Sequence, residues 1–239
     1  MTVEPPAVGS AADAGAAPSP GSRSAAPPVA TLVHLIRHGE VANPTGVLYG
    51  RLPGFTLSDL GVQMADRLAG ALGGRDIGLV VSSPLERAVR TATPLARALN
   101  VPILLDDRVI EAANRFEGQR VAPGDGALRD PRNWWLLRDP LTPSWGEPYR
   151  EIALRMFSAV TAARRAVPGR EAVIVSHQLP IWVARLAAEQ RPFAHDPRRR
   201  LCALASVTSL MFEQDELVHV EYREPARDLA DRAHRGAGA

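Results

Sequence analysis

Four short polar groups in this 239-residue chain carry side chains that can do chemistry together: Arg37-His38-Gly39-Glu40, Arg87, Glu111 and His177-Gln178. Two arginines converging on one point suit an anion such as a phosphoryl group, because the planar guanidinium forks onto two oxygens. A neutral histidine is a good nucleophile near pH 7 and accepts a phosphoryl group. A carboxylic acid nearby protonates a departing alkoxide. A second histidine joins the arginines in stabilising the equatorial oxygens as charge moves. Such a set demands no metal ion. Glu117 is an alternative acid, and an ion-pair or helix-dipole role is the plainer alternative for Glu111.

The chemistry requires these groups to arrive at one edge, and the apolar patterning delivers them there. Leu32, Val33, Leu35 and Ile36 read as a strand buried on both faces that stops at Arg37-His38, with Gly39 allowing close approach to the backbone. Ile77 to Val81 is a second strand, running into Ser82-Ser83-Pro84. Pro84 suits the first turn of a helix with Leu85, Ala88, Val89 and Ala92 on one face, Arg87 in its first turn and Pro94 kinking it. Val101 to Leu105 is a third strand, leading to Glu111. Ala172 to Ser176 is a fourth, ending on His177-Gln178 before a helix opened by Pro180. Ligands in open α/β sheets bind beyond the carboxyl ends of the strands.

The remaining elements complete the frame. Ser58 caps a helix whose Leu60, Met64, Leu68 and Leu72 recur every four residues. Pro148 opens a long helix with Ile152, Met156, Phe157 and Val160 along one face. Val207 to Phe212 and Leu217 to Tyr222 form a terminal hairpin. Strands alternating with helices predict an α/β fold, a three-layer αβα sandwich with a mostly parallel sheet and helices on both faces.

Residues 1–30 are Ala, Pro, Gly and Ser with almost no large apolar residue, and are expected to be a disordered leader. The domain is expected over 31–224, with 119–146 a tryptophan-bearing lid insertion and 225–239 a loose tail. Arg51, in the Gly/Pro-punctuated loop from Val41 to Phe55, either points back at the first strand or is a solvated surface cation. His34 shares an i, i+4 spacing with His38, but on a strand that spacing does not converge, so His34 belongs to the core. His195, His219 and His234 are expected at the surface.

All 28 basic side chains are arginine. The absence of lysine rules out a P-loop lysine, a Schiff-base lysine and a Ser-Lys pair. One cysteine rules out an internal disulfide and a multi-cysteine metal site. The formal charge of +2, with no basic run interleaved with aromatics, argues against a nucleic-acid partner. No apolar run is long enough to span a membrane. The expectation is a cytoplasmic protein with no membrane partner; a homodimer is left open.

The ordered set Leu35-Ile-Arg-His-Gly-Glu40, Arg51-Leu-Pro-Gly54, Leu57-Ser-Asp-Leu-Gly61, Ser82-Ser-Pro-Leu-Glu-Arg-Ala-Val-Arg-Thr-Ala92, Glu111 with Phe116-Glu-Gly118, Gly146-Glu147 and Val175-Ser-His177 resembles the histidine phosphatase superfamily, of phosphoglycerate mutase-like fold. The resemblance covers Leu32 to Tyr222. It implies that His38 is the nucleophile, that Arg37, Arg87 and His177 form the phosphate pocket, and that Glu111 is the proton donor. It further implies that Arg51 contacts the substrate, and Gln178, standing where the family usually has glycine, is expected as a second substrate contact. Val41-Ala-Asn-Pro44 departs from the family's Thr and Trp-Asn, and Asn43 is the residue that would take over the missing phosphate contact. The segment around Glu111 lacks the mutases' Glu-Arg-His-Tyr-Gly, which favours a phosphatase without cofactor. The expected function is therefore a metal-independent phosphomonoesterase acting on a small phosphorylated substrate. The alternatives are a cofactor-dependent phosphoglycerate mutase and a non-catalytic module that binds a phosphorylated ligand.

Overall fold

The structure is a computed structural model and describes residues 30–121 and 146–233. Strand β1 (Thr31–Arg37) lies inside a six-stranded sheet whose order is β3-β2-β4-β1-β5-β6. Strands β2 (Ile77–Ser82), β3 (Ile103–Leu105) and β4 (Glu171–Ser176) make the parallel part with β1. Strands β5 (Val207–Glu213) and β6 (Glu216–Arg223) are antiparallel. The predicted hairpin is thus not an appendage. Through β5 it pairs along the whole of β1 and closes that flank of the sheet.

Helices α1 (Asp59–Leu72) and α2 (Glu86–Leu99) cover one face, and α3 (Tyr149–Ala166) and α4 (Gln178–Ala188) the other. The period-two geometry of a strand divides the apolar run of each central strand between two cores. Leu35, Ala172 and Ile174 point to the α3/α4 side, while Ile36, Val173 and Val175 point to the α1/α2 side. All six are essentially inaccessible to water. Full burial of a Leu or Ile side chain contributes roughly 1.5–3 kcal/mol, so these residues hold the three layers together and fix where β1 and β4 end. No helix among the described residues is long and apolar enough to cross a membrane.

Several expectations are corrected. Helix α2 starts at Glu86 with Leu85 as its cap, so Pro84 precedes the helix, and the helix continues through Pro94. The hydrogen bond that Pro94 cannot donate would go to Arg90, an exposed position where water can solvate the carbonyl. Strand β3 is shorter than expected and lies at the sheet edge with Leu104 and Leu105 exposed. The tail is not loose at its start. Ala226 and Leu229 are buried against the α1/α2 core, a short helix α5 (Arg227–Ala230) forms there, and Arg67 of α1 pairs with Asp228. The expected leader and lid fall almost wholly outside the described residues, as does His234.

Candidate active site

β1 and β4 are adjacent and in register, with Arg37 opposite Ser176, so His38 and His177 leave the sheet side by side. Their ring centroids are 5.1 Å apart, and both residues are fully buried. The His38 ring is fixed by its own backbone: Nδ1 lies 2.7 Å from the Gly39 carbonyl. A carbonyl only accepts, so Nδ1 must carry the proton. Nε2 is therefore the lone-pair nitrogen, and it is buried without a hydrogen-bond partner. Burial first, then Arg87 and Arg37, hold the His38 pKa well below the ordinary imidazole range, so the ring is neutral at pH 7.

His177 is oriented by Ser83, which follows β2. His177 Nε2 is 2.8 Å from Ser83 Oγ, and that oxygen also accepts the Leu85 N–H at 3.4 Å. The Ser83 hydroxyl has one proton to give, and donated to Nε2 it selects the neutral tautomer that carries its proton on Nδ1. Burial, followed by His38 and the two arginines, keeps His177 neutral. Its Nδ1 has no hydrogen-bond partner and sits 4.0 Å from Glu111 Oε2.

Arg87, in the first turn of α2, is 1 % exposed, which is extreme for a guanidinium. It lies over the Tyr49 ring at 4.7 Å, and one nitrogen donates to the Gly50 carbonyl at 2.5 Å. Arg37 donates to the Cys202 carbonyl at 2.8 Å. Glu111 Oε1 accepts the Ala112 N–H at 2.8 Å, while Oε2 is buried without a partner. Burial raises the Glu111 pKa against the pull of that N–H and of Arg87, Arg37 and Arg200. It is the carboxyl suited to remain protonated. Glu117 differs: it accepts the Arg51 backbone N–H at 3.0 Å and serves the loop.

Arg51, Asn43 and Gln178 have different surroundings. Arg51 donates to the Glu111 carbonyl (2.6 Å) and to Glu147 (3.0 Å), a carboxylate it shares with Arg155. A cleft of about 740 Å³ opens beside it, lined by Ile110, Asn114, Arg115 and Glu147 among others but not by either catalytic-candidate histidine. Because the chemistry-bearing groups lie elsewhere, the cleft is a neighbour of the histidine pocket, joined to it through Arg51 and Glu111. Asn43 hydrogen-bonds within its own loop, to the Val47 carbonyl (2.9 Å) and from the Thr45 hydroxyl (3.3 Å). Gln178 begins α4, its amide 3.5 Å from the same Cys202 carbonyl that Arg37 uses.

Two further expectations meet the structure here. His34 is fully buried with both nitrogens engaged, by Ser209 (2.8 Å) and Glu171 (2.9 Å), well inside the sheet. His219 is exposed, but His195 is not a surface residue. Its ring is half-buried against Tyr149 and Trp182. The sequence pattern alone did not reveal Ser83 as the partner of His177, nor Tyr49 under Arg87. Ser83 lies directly after an apolar strand at the sheet's ligand-binding edge, and that position was the available signal.

Comparison with known proteins places these observations in a family. The model of the histidine phosphatase superfamily (branch 1) matches residues 33–225. An uncharacterized protein of Mycobacterium tuberculosis, Rv0525, is 58 % identical over 199 residues, covering 83 % of this chain and 98 % of that one. A 2,3-bisphosphoglycerate-dependent phosphoglycerate mutase of Thermoplasma acidophilum is 38 % identical over 152 residues, 63 % of this chain and 72 % of its own. Among solved structures, the mycobacterial glucosyl-3-phosphoglycerate phosphatase Rv2419c superposes with a TM-score of 0.65 at 27 % identity, covering 81 % of this chain and 97 % of that one. The chain belongs to the histidine phosphatase superfamily.

Proposed function

We propose, from that membership and from the geometry of the pocket, that the protein is a metal-independent phosphomonoesterase acting on a small phosphorylated metabolite through a phosphohistidine. The observation that carries the reading is His38 Nε2: neutral, buried, unpartnered, and held in one tautomer by the Gly39 carbonyl. A nucleophile so fixed loses no solvation and needs no reorientation before attack.

The steps follow from the groups at hand. The Nε2 lone pair attacks phosphorus as the P–O bond to the alcohol breaks. Glu111, kept protonated by burial, gives its proton to the departing alkoxide. Arg37, Arg87 and the Nδ1–H of His177 hold the non-bridging oxygens as their charge redistributes. Water then attacks the phosphohistidine, the Glu111 carboxylate takes its proton, and His38 is released with inorganic phosphate. Arg51 is a substrate contact at the mouth of the adjoining cleft. Asn43, whose amide serves its loop, is the weakest member of the proposed phosphate set.

The relatives include a phosphatase and a mutase, and two features support the phosphatase. The segment Glu111-Ala-Ala-Asn-Arg lacks the mutases' Glu-Arg-His-Tyr-Gly, and the neighbouring structure is named for hydrolysis of a phosphoglycerate derivative. Rapid quench into alkaline detergent, in which a phosphohistidine P–N bond survives, after mixing with a ³²P-labelled monoester should trap label on the wild-type protein and none on His38→Ala. Turnover that survives His38→Ala would sink the mechanism. Conversion of 3- to 2-phosphoglycerate without phosphate release would move the chain to the mutases.

A further inference from the structure

Arg200 lies in the connection between α4 and β5, where the sequence shows only a run of arginines (Arg198-Arg199-Arg200). Its neighbours in the run are exposed, whereas Arg200 is mostly withdrawn from water. The segment that follows it is stitched to the backbone of the nucleophile's own strand end. The Cys202 carbonyl accepts from Arg37, Ala205 N–H donates to the His38 carbonyl (3.3 Å), and Arg37 N–H donates to the Ser206 carbonyl (3.1 Å). Arg200 is therefore carried at a fixed place beside the pocket.

One edge of its guanidinium is already used. Nε donates to His195 Nε2 at 2.9 Å, and His195 Nδ1 lies 2.6 Å from the Phe193 carbonyl, which fixes the tautomer that can accept. The His195 ring is wedged between Tyr149 and Trp182, with centroids at 5.5 and 5.9 Å. The edge carrying both Nη groups makes no hydrogen bond to a described residue, and no described carboxylate comes within ion-pair distance of Arg200. Elsewhere in the molecule partly buried arginines have carboxylate partners: Arg155 pairs with Glu147, Arg164 with Asp215, and Arg185 with Glu189. Unengaged by the described residues, the Nη edge is a charged donor fork available to an anionic group. Burial draws the Arg200 pKa down, and of the groups around it Tyr149 and Glu111 act on it more strongly than Arg37. Glu111 and Arg200 thus share the neighbourhood of the pocket, the Cys202 carbonyl two residues further on being held by Arg37.

We infer that Arg200 determines specificity by receiving, on its Nη edge, a carboxylate carried by the alcohol portion of the phosphorylated substrate, with His195 as the residue that positions it. A single planar fork matches one carboxylate, and the transferred phosphoryl group already has Arg37, Arg87 and His177. The inference rests on the phosphomonoesterase reading of the pocket, but its test can be separated from that reading.

The probes are 3-phosphoglycerate and glycerol 3-phosphate, which differ in the carboxylate. In wild-type protein kcat/KM favours the former, and in Arg200→Gln the ratio between the two falls about 10- to 100-fold, the range expected for losing a charged hydrogen-bonded pair. Arg200→Lys, which keeps the charge without the fork, loses less, and Arg199→Gln at the exposed neighbour keeps the ratio. His195→Phe lowers the ratio through KM, and His195→Gln, whose amide oxygen accepts the same N–H, restores most of it. A ratio unchanged in both Arg200 variants overturns the assignment. If wild-type protein hydrolyses neither probe, calorimetric Kd values for the same pair decide. Carboxylate-dependent affinity that disappears in Arg200→Gln sustains the role of Arg200, and equal affinities in wild type and variant overturn it.

Discussion

Glu111 and the two histidines have pKa values pushed in opposite directions by one cause, removal from water. For a carboxyl, burial raises the pKa, so the acid form persists above the usual carboxylate range and is lost as pH rises through the raised value. For an imidazole, burial lowers it, so His38 and His177 remain neutral until the pH falls well below 6.5. The proposed mechanism requires a neutral His38 and a protonated Glu111, so kcat/KM should be bell-shaped, with its acid limb below 6.5 and an alkaline limb set by Glu111. Glu111→Gln should flatten the alkaline limb. It should also lower kcat on an alkyl phosphate by about 10²- to 10⁴-fold, the usual worth of a general acid. The loss on p-nitrophenyl phosphate, whose leaving group departs as a stable anion, should be far smaller. Equal losses on both esters would remove Glu111 from the role of proton donor.

The strand-to-loop junction after β1 depends on an element contact that the side chains alone do not announce. Gly39 and Gly61 place the backbone beyond β1 directly against the first turn of α1. A methyl group on Gly39 would come within 2.6 Å of the Gly61 carbonyl, and one on Gly61 would run into the Glu40 carbonyl. Ser58 completes the junction, capping α1 through the Gly61 N–H (3.0 Å) and donating its hydroxyl to Glu40 (2.5 Å). In an ordinary helix Gly→Ala stabilises by up to about 1 kcal/mol. At Gly61 the sign should reverse, with Gly61→Ala destabilising by about 1–3 kcal/mol because the backbone must move apart. Urea unfolding measures this, and a stabilised Gly61→Ala protein would show that the contact yields freely. The same displacement would shift Gly39, whose carbonyl fixes the His38 tautomer, so activity should fall further than stability explains.

Across the whole molecule, positive charge for the pocket comes from arginine side chains delivered by three separate elements: β1 (Arg37), α2 (Arg87) and the segment before β5 (Arg200). Among the described residues no three His, Cys, Asp or Glu side chains cluster as a metal ion would require. On the proposed metal-independent mechanism, dialysis against EDTA should leave the hydrolysis rate unchanged, and a loss restored by Mg²⁺ or Zn²⁺ would assign part of the phosphate neutralisation to a cation.

How much of this was legible beforehand depended on the range of the forces involved. The short continuous apolar runs announced β1, β2 and β4, and the polar residues ending or following them announced Arg37, His38, Arg87 and His177, because apolar clustering and strand-end position are local properties of the chain. Glu111 was legible as a candidate but not separable from Glu117. Only the fold shows one carboxyl buried with an unpartnered oxygen and the other engaged by the Arg51 backbone. The docking of residues 226–230 and the pairing of β5 with β1 were likewise decided by contacts between segments far apart in sequence. Arg200 makes the same point most sharply. In the chain it is the third of three arginines, and only the hydrogen bonds binding residues 202–206 to Arg37 and His38 bring it beside the pocket. Sequence by itself determined which elements form and which side chains end the strands. The tertiary structure decided which of those groups are stripped of water and of partners, and desolvation, which lowers the pKa of His38 and raises that of Glu111, is a property of the surrounding packing.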